Sequence, residues 1–119
     1  MKDNVIQKKS FNFALKVIDI YKFLVNEKRE YILSKQLLKS ATSIGANVEE
    51  AIGGQTKRDF ITKISIAYKE SREAKYWIKL IRYSNIIDKE VYNDMIYQIE
   101  EICKILSSII ITTKRRIYS

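Results

Sequence analysis

The sequence contains no proline, no histidine, three glycines and one cysteine. Because proline and glycine are the residues that most often interrupt helices, their scarcity favours long helices. The single cysteine, Cys103, cannot form an internal disulfide, which is typical of proteins from a reducing compartment. One cysteine without any histidine cannot build a zinc site or a Ser–His or Cys–His nucleophile system. We therefore expect no metal, no cofactor and no enzymatic activity.

Long apolar segments are also missing. The first 13 residues, MKDNVIQKKSFNF, lack the apolar core of a signal peptide. The stretch ILSSIIITT, at 105–113, is too short and too interrupted to span a bilayer, which takes about 18 or more apolar residues. These features predict a cytoplasmic protein that makes no contact with a membrane.

Length and charge narrow the possibilities further. The chain has 119 residues, 46% of them hydrophobic, which predicts one globular domain over residues 1–119. Its 22 basic residues outnumber its 14 acidic ones, for a formal charge of +8. Such an excess favours a polyanionic partner, nucleic acid or an acidic protein, although it also suits a protein that is merely kept soluble.

Apolar residues recur at helical spacing in four segments, which predicts an antiparallel up-down-up-down four-helix bundle. The first segment, about 4–28, has two apolar stripes. We take Phe11, Ala14, Leu15, Ile18, Tyr21 and Val25 as the main stripe, widened by Phe13, Val17, Ile20 and Leu24. Ser34 is the predicted N-cap of a second helix that ends at Ile52, where Gly53 and Gly54 favour a left-handed cap.

The third and fourth segments have the clearest seams. Thr56 and Asp88 are their predicted N-caps. The seam of the third consists of Phe60, Ile64, Ala67, Ser71, Ala74, Ile78 and Ile81, and that of the fourth of Met95, Ile99, Ile102, Leu106 and Ile109. The first and fourth helices carry more apolar surface than one bundle needs, which predicts self-association.

The stretch SATSIGANVEEAIGG, at 40–54, is unusual because its helical pattern is built from small and polar residues. Ala41, Gly45 and Ala46 would let a neighbouring helix approach closely. A glycine costs a helix about 1 kcal/mol relative to alanine, so Gly45 needs a packing reason. We expect large side chains such as Trp77 to fill the space opposite. Ser40, Ser43 and Asn47 are the predicted hydrogen-bonding partners across this contact.

Two phrases carry a family resemblance: LSKQLLKSATSIGANVEEA at 33–51 and DFITKISIAYKESREAKYWIKL at 59–80. In this order they resemble the four-helix-bundle proteins encoded within 23S rRNA intervening sequences. The resemblance implies an antiparallel bundle that assembles as a ring-shaped homopentamer. It also implies kinship with the accessory protein of diversity-generating retroelements, which works with a reverse transcriptase and nucleic acid.

Basic residues are the main functional candidates. Lys69, Arg72, Lys75, Lys79 and Arg82 lie along the third helix, and the tail adds Lys114, Arg115 and Arg116. Steps of three and four place the last four of the helical set on one face, which suits binding of phosphates. The alternative is a solvated face with intrahelical ion pairs such as Lys69–Glu73.

Carboxylates and aromatic residues near the two phrases are weaker candidates. We expect Glu49, Glu50, Glu70 and Glu73 to pair with basic residues such as Lys69, Arg72 and Lys75, not to form a metal site. Tyr68, Tyr76 and Trp77 could stack on bases, but aromatic residues at helical spacing more often fill a core or a subunit interface.

The sequence leads to a functional hypothesis and one alternative. The hypothesis is a non-enzymatic homo-oligomeric scaffold that binds RNA or DNA through its basic surface. The alternative is an adaptor for a protein partner such as a polymerase or reverse transcriptase, without direct contact to nucleic acid.

Overall fold

The structure, a computed structural model, describes residues 2–118, with side chains from residue 5 onward. This part of the chain forms four helices and no strand: α1 (Lys2–Asn26), α2 (Leu33–Ile52), α3 (Lys57–Tyr83) and α4 (Lys89–Tyr118). The all-α class and the four predicted helices are confirmed. Of the predicted domain 1–119, Met1 and Ser119 lie outside the described residues.

Polar contacts between neighbouring helices show that the neighbours run antiparallel. Lys9 on α1 pairs with Glu101 on α4 at 2.8 Å, and the later Lys16 pairs with the earlier Asp94. Further contacts join α1 to α2 (Gln7–Glu49), α2 to α3 (Glu50–Lys63) and α3 to α4 (Lys75–Glu100). The result is an elongated bundle that measures 50 × 21 × 21 Å.

The predicted seams of α2, α3 and α4 line the core almost without exception. Ile64, Ala67, Ala74, Ile78 and Ile81 of α3 are fully buried, and Phe60 at the start of the seam is partly buried. The predicted α4 seam is buried along its whole length. On α2, Ile52 is 43% exposed, and Ala51 takes the core position instead.

Helix α1 buries a different apolar stripe from the one that we predicted to face the core. The predicted main stripe contains Phe11, 64% exposed, and Leu15, 49% exposed. The core contacts come from the stripe that was predicted only to widen it: Phe13, Val17, Ile20 and Leu24, together with Ile6. This stripe lies between the side of α1 that contacts α2 and the side that contacts α4, so it must face the bundle axis.

The N-caps of α3 and α4 are those that the sequence predicts. Thr56 Oγ1 accepts a hydrogen bond from the Asp59 backbone N–H at 3.0 Å. Asp88 Oδ1 accepts one from the Val91 N–H at 2.9 Å. Both satisfy amides that the helix itself leaves without partners.

Helix α2 is capped by Glu30, not by Ser34 as predicted. The Glu30 carboxylate accepts hydrogen bonds from the backbone N–H groups of Ile32, Leu33 and Ser34 at 2.6–3.1 Å. Ser34 lies inside the helix, is buried, and donates its hydroxyl to the Glu30 carbonyl at 2.7 Å. The carboxylate thus occupies the position where the N-terminal end of the helix dipole is positive.

The turn after α2 also differs from the prediction. Gly53 has φ −81°, and neither it nor Gly54 adopts a left-handed conformation. A Cβ atom on Gly54 would lie 3.1 Å from the Ala51 carbonyl oxygen and 3.3 Å from the Asp59 Cβ. A side chain at Gly54 would therefore crowd the tight passage between α2 and α3, so the close approach, and not the backbone dihedral angles, favours glycine here.

The small residues of 40–54 do not all have the packing role that the sequence predicts. A Cβ atom on Gly45 would lie 3.6 Å from Ser10 Oγ, so this glycine faces α1. The prediction that it faces Trp77 is wrong. Ala46 is exposed, so it does not create the close approach within the chain. Ser40 is buried, as expected for a packing residue, while Ser43 is partly exposed.

Asn47 makes a different hydrogen bond from the one predicted. Its side-chain amide donates to the Ser43 carbonyl on its own helix at 2.8 Å, not across to a neighbour. The bond satisfies the amide locally, as short polar side chains within helices often do. The register between helices is therefore set by packing and not by Asn47.

The cap contributed by Glu30 should be measurable through its pH dependence. Partial burial alone would raise the pKa of this carboxyl, but hydrogen bonds from Ser34, Leu33 and Ile32 outweigh it and hold the pKa below its ordinary 4.5. The stabilisation is therefore present above the unfolded-state pKa and is lost as pH falls through the lower folded-state value. We expect Glu30→Ala to lower the free energy of unfolding by about 0.5–2 kcal/mol at pH 7, as is typical for a lost cap. Urea unfolding at a series of pH values would contradict this if the difference between wild type and variant did not shrink on acidification.

Gly45 provides a second test, with opposite results for two substitutions. Gly45→Ala adds a methyl group at an ordinary contact distance and should raise stability by up to about 1 kcal/mol, because alanine has the higher helix propensity. Gly45→Leu must push against Ser10 and its backbone, and should lower stability by about 1–3 kcal/mol. Ala46→Leu, one position along and exposed, is the matched control and should change little. Equal melting temperatures for Gly45→Leu and Ala46→Leu would show that Gly45 does not face α1.

Candidate nucleic-acid interface

A groove runs between α3 and α4 on the outside of the bundle. It consists of two cavities of about 370 Å³ and 520 Å³ that share Tyr68 and Cys103. Its lining is formed by Tyr68, Arg72, Lys75, Tyr76, Lys79, Cys103, Lys104, Ser107, Ser108, Ile111, Thr112 and Arg115. We call this surface the α3–α4 groove, and five of its residues are cationic.

The four predicted basic residues of the α3 face have different environments. Arg72 and Lys79 are exposed and line the groove. Lys75 also lines it but is partly buried, and it forms an ion pair with Glu100 of α4 at 3.0 Å. Arg82 turns away and donates from Nη1 to the Ile87 carbonyl in the α3–α4 turn at 3.4 Å. The face is therefore less uniform than its spacing predicted.

The remaining predicted basic residues divide in the same way. Arg115 lines the far end of the groove, whereas Lys114 and Arg116 are exposed but are not part of its lining. Lys69 is exposed on the side of α3 that faces α2, where Lys69 and Lys39 both act on Glu70. The structure thus brings Arg72, Lys75, Lys79 and Arg115 into one groove.

The position of Glu70 explains why Lys69 is not part of the α3–α4 groove. Burial raises the pKa of the Glu70 carboxyl, and the neighbouring Glu73 raises it further. Lys69 and Lys39 only partly offset these two effects. Lys69 therefore acts on a carboxylate on the α2 side of α3 and does not line the groove.

Lys104 is the groove residue that sequence reasoning missed. It lies on α4 and lines the same cavity as Arg115. Lys104 also acts on Glu100. The pKa of the Glu100 carboxyl is lowered mainly by the hydrogen bond from Lys75 and by the charge of Lys75, and the charges of Lys104 and Lys79 lower it further. The signal in the sequence was its spacing, since Lys104 and Arg115 are three helical turns apart and lie on one face.

Cys103 lies where the two cavities meet, and the fully buried Ser71 lies beneath it. Cys103 is partly exposed, not buried as its apolar surroundings predict, and its Sγ lies 3.1 Å from Ser71 Oγ. Since the single Ser71 hydroxyl proton is donated to the Tyr68 carbonyl at 2.6 Å, the thiol is the donor toward Ser71.

The carboxylates singled out from the sequence make the expected contacts only in part: Lys69 acts on Glu70 as predicted, whereas Glu49 and Glu50 contact residues outside the predicted set. Glu50 pairs with Lys63 at 3.1 Å, and Glu49 accepts a hydrogen bond from Gln7 at 2.7 Å. Within residues 2–118, no group of three or more acidic or thiol side chains is close enough to hold a metal ion. None of the helices in this part of the chain is long and apolar enough to cross a bilayer.

The aromatic candidates are only partly in the core. Tyr68 and Trp77 are partly buried against it, and the buried Trp77 Nε1–H has no hydrogen-bond partner. Tyr76 is 57% exposed and lines the groove beside Arg72 and Lys79. Tyr76 is therefore not a core residue of the single chain, and its other expected location, a subunit interface, stays a prediction.

Comparison with known proteins now adds to this geometry. Residues 2–108 match the family described as 23S rRNA-intervening sequence protein, which covers all of α1 to α3 and most of α4. The chain belongs to this family. The resemblance seen in the two sequence phrases is thereby confirmed. No curated protein matches the sequence significantly.

A crystal structure of a relative has the same fold. It is a protein of unknown function from the S23 ribosomal protein family of Bacteroides thetaiotaomicron VPI-5482. The two chains are 48% identical, and the match covers 92% of this family member and 98% of the relative with a TM-score of 0.90. At this similarity, the helices that form the α3–α4 groove have the same arrangement in both proteins.

Proposed function

We propose that this family member is a non-enzymatic homo-oligomeric scaffold that binds RNA or DNA through phosphates in the α3–α4 groove. The observation that carries the proposal is the convergence of cations from two helices on one groove. Arg72, Lys75 and Lys79 come from α3, and Lys104 and Arg115 come from α4. Glu100, next to this surface, is already paired with Lys75.

The chemistry of the groove suits phosphate and not base recognition by hydrogen bonding. Lysine and arginine neutralise phosphates and release the counterions that surround a nucleic acid. Such contacts position a strand but carry no sequence information. The proposed binding is therefore strongly dependent on salt and nearly independent of sequence.

Self-association is the second part of the proposal, and the exposed apolar surface of α1 supports it. Phe11 is 64% exposed and Leu15 49% exposed, although both were sequence candidates for the core. Contiguous apolar surface of this kind commonly marks a protein–protein contact. We propose that a second copy covers it and that the assembly is the ring-shaped homopentamer implied by the family resemblance.

The same apolar surface also favours a second candidate function. If α1 contacts a different protein, such as a polymerase or a reverse transcriptase, the chain acts as an adaptor. The basic groove would then meet an acidic partner surface and would not bind nucleic acid. The binding experiment below separates the two candidates.

Fluorescence anisotropy with generic labelled single-stranded RNA and DNA tests the first proposal. We expect binding at low salt, with a log–log salt slope of about −0.7 for each neutralised phosphate. The double variant Arg72→Glu/Lys79→Glu should abolish most of this binding, because it reverses two exposed charges in the groove. Helicity and oligomer mass should stay unchanged, since neither side chain is in the core.

A matched control separates a localised site from net charge. Lys22→Glu/Lys35→Glu changes the formal charge by the same amount at exposed positions on α1 and α2. This control should bind almost as well as wild type, and equal losses in the two double variants would show that the groove has no special role. Absence of binding by correctly assembled wild type at low salt would remove the nucleic-acid proposal and favour the adaptor.

Light scattering tests the assembly. We expect a mass of several chains, five in the ring-shaped form, in place of the single-chain 14.0 kDa. Phe11→Gln/Leu15→Gln should lower the mass without changing helicity, because both side chains are exposed in the single chain. Ile32→Gln, at a 74% exposed apolar residue outside α1, is the control and should leave the mass unchanged. A monomeric wild type at micromolar concentration would contradict the proposal.

A further inference from the structure

We propose that Tyr76 and Tyr83 stack on unpaired bases, so that the ligand of the basic surface is a single strand and not a duplex. This inference rests on the proposed function and specifies its ligand. It starts from a row of four residues on α3: Arg72, Tyr76, Lys79 and Tyr83. Successive steps of four, three and four place all of them on one helix face.

All four residues of this row are open to solvent. Tyr76 is 57% exposed and Tyr83 is 78% exposed, and Arg72 and Lys79 are exposed on either side of Tyr76. Cations therefore alternate with aromatic rings along the row. Grooves that bind single-stranded nucleic acid without sequence preference combine these two components, cations for the backbone and rings for the bases.

Each ring is held by a neighbour while keeping a free face. The Tyr76 ring lies 5.1 Å from the Trp77 ring at an interplanar angle of 68°. The Tyr83 ring lies 6.3 Å from the Tyr92 ring at 65°. A T-shaped contact uses either the edge or one face of a tyrosine ring, so at least one face of each remains available for a base.

The spacing of the row suits a stacked single strand. Tyr76 and Tyr83 are seven residues apart, which is about 10.5 Å along a helix. A strand that advances about 3.4 Å per nucleotide covers this distance in about three nucleotides. Lys79, between the two rings, is then placed to contact an intervening phosphate. In a duplex the bases are paired and stacked on each other, so their faces are not available to the tyrosines.

Three ligands of equal length test the inference. The first is a labelled oligothymidylate of about 12 nucleotides, within the range that stacking grooves cover on other folds. The second is an abasic deoxyribose-phosphate strand, which keeps the phosphates and removes the bases. The third is a duplex. We expect wild type to bind the oligothymidylate at least about five-fold more tightly than the abasic strand, and more tightly than the duplex, because stacking on even one tyrosine is worth about that much.

Tyrosine variants identify the rings responsible. Tyr76→Leu/Tyr83→Leu should remove the preference for the base-containing strand while leaving abasic binding and its salt dependence unchanged. Tyr31→Leu, which removes a 54% exposed tyrosine before α2, is the matched control and should keep the preference. Trp77 gives an independent signal, because it is the single tryptophan and contacts Tyr76. Its emission should change with the oligothymidylate but not with the abasic strand, and Tyr76→Leu should remove that change.

The outcomes separate this inference from the function on which it rests. Salt-dependent binding that is equal for oligothymidylate and abasic strand would overturn the inference and leave the phosphate proposal in place. No binding to any of the three ligands, and none to single-stranded RNA, would remove both. A fall in oligomer mass in the tyrosine double variant would also overturn the inference, because the rings would then belong to a subunit contact.

Discussion

The close packing of α2 against α3 is the contact on which the rest of the bundle depends. The buried faces of both helices contain small residues: Ser40 and Ala41 near the middle of α2 and Ala51 at its end, and Ala67, Ser71 and Ala74 in the middle of α3. Small side chains let helix axes approach, and the glycine at Gly54 lets the chain pass between the two helices without a clash. Because α3 buries only this narrow seam, much of its circumference remains available for charged and aromatic residues.

The distribution of ion pairs explains why the positive charge collects on one side. Two acidic residues of α4, Asp94 and Glu101, pair with Lys16 and Lys9 of α1. At the groove, Glu100 alone of these α4 carboxylates meets cations from α3. Exposed ion pairs of this kind add at most about 1 kcal/mol each, so their effect on stability is small. Their effect on the field is larger, because they neutralise the α1–α4 side and leave the α3–α4 side positive.

How well the sequence predicted each helix depended on how narrow its apolar stripe is. Helix α3 has a single apolar stripe, from Phe60 to Ile81, so its buried face could be predicted from residue spacing alone. Helix α1 has two apolar stripes, and periodicity cannot decide which of Phe11 and Phe13 faces the core. That choice depends on how α1 is rotated between α2 and α4, which is a property of three helices together. It was therefore beyond the reach of any single segment.

The wrong N-cap prediction for α2 and the incomplete prediction of the groove have related physical causes. Glu30 caps α2 from outside the helix, while Ser34 has the residue type that usually performs this role but is the second residue of the helix and is buried. The α3 half of the groove was predictable because Arg72 and Lys79 share a face of one helix. Lys104 and Arg115 were harder to place, because their proximity to α3 depends on the relative rotation of two helices. Sequence spacing reports neighbours along a helix but not neighbours across one.

High affinity for nucleic acid would require both the groove, which contacts phosphates, and the apolar face of α1, which is proposed to bring several grooves together. A single row from Arg72 to Tyr83 spans only about three helical turns, or about 16 Å, and so reaches only a few phosphates. Contacts with so few phosphates are weak at physiological salt, because each contributes little once counterions compete. Copies of the row held in one assembly would bind a longer strand with a high effective concentration for each successive contact. If the apolar face of α1 joins subunits as proposed, it matters as much for binding as the cations do. A protein with this groove but without exposed apolar residues on α1 would be expected to bind weakly.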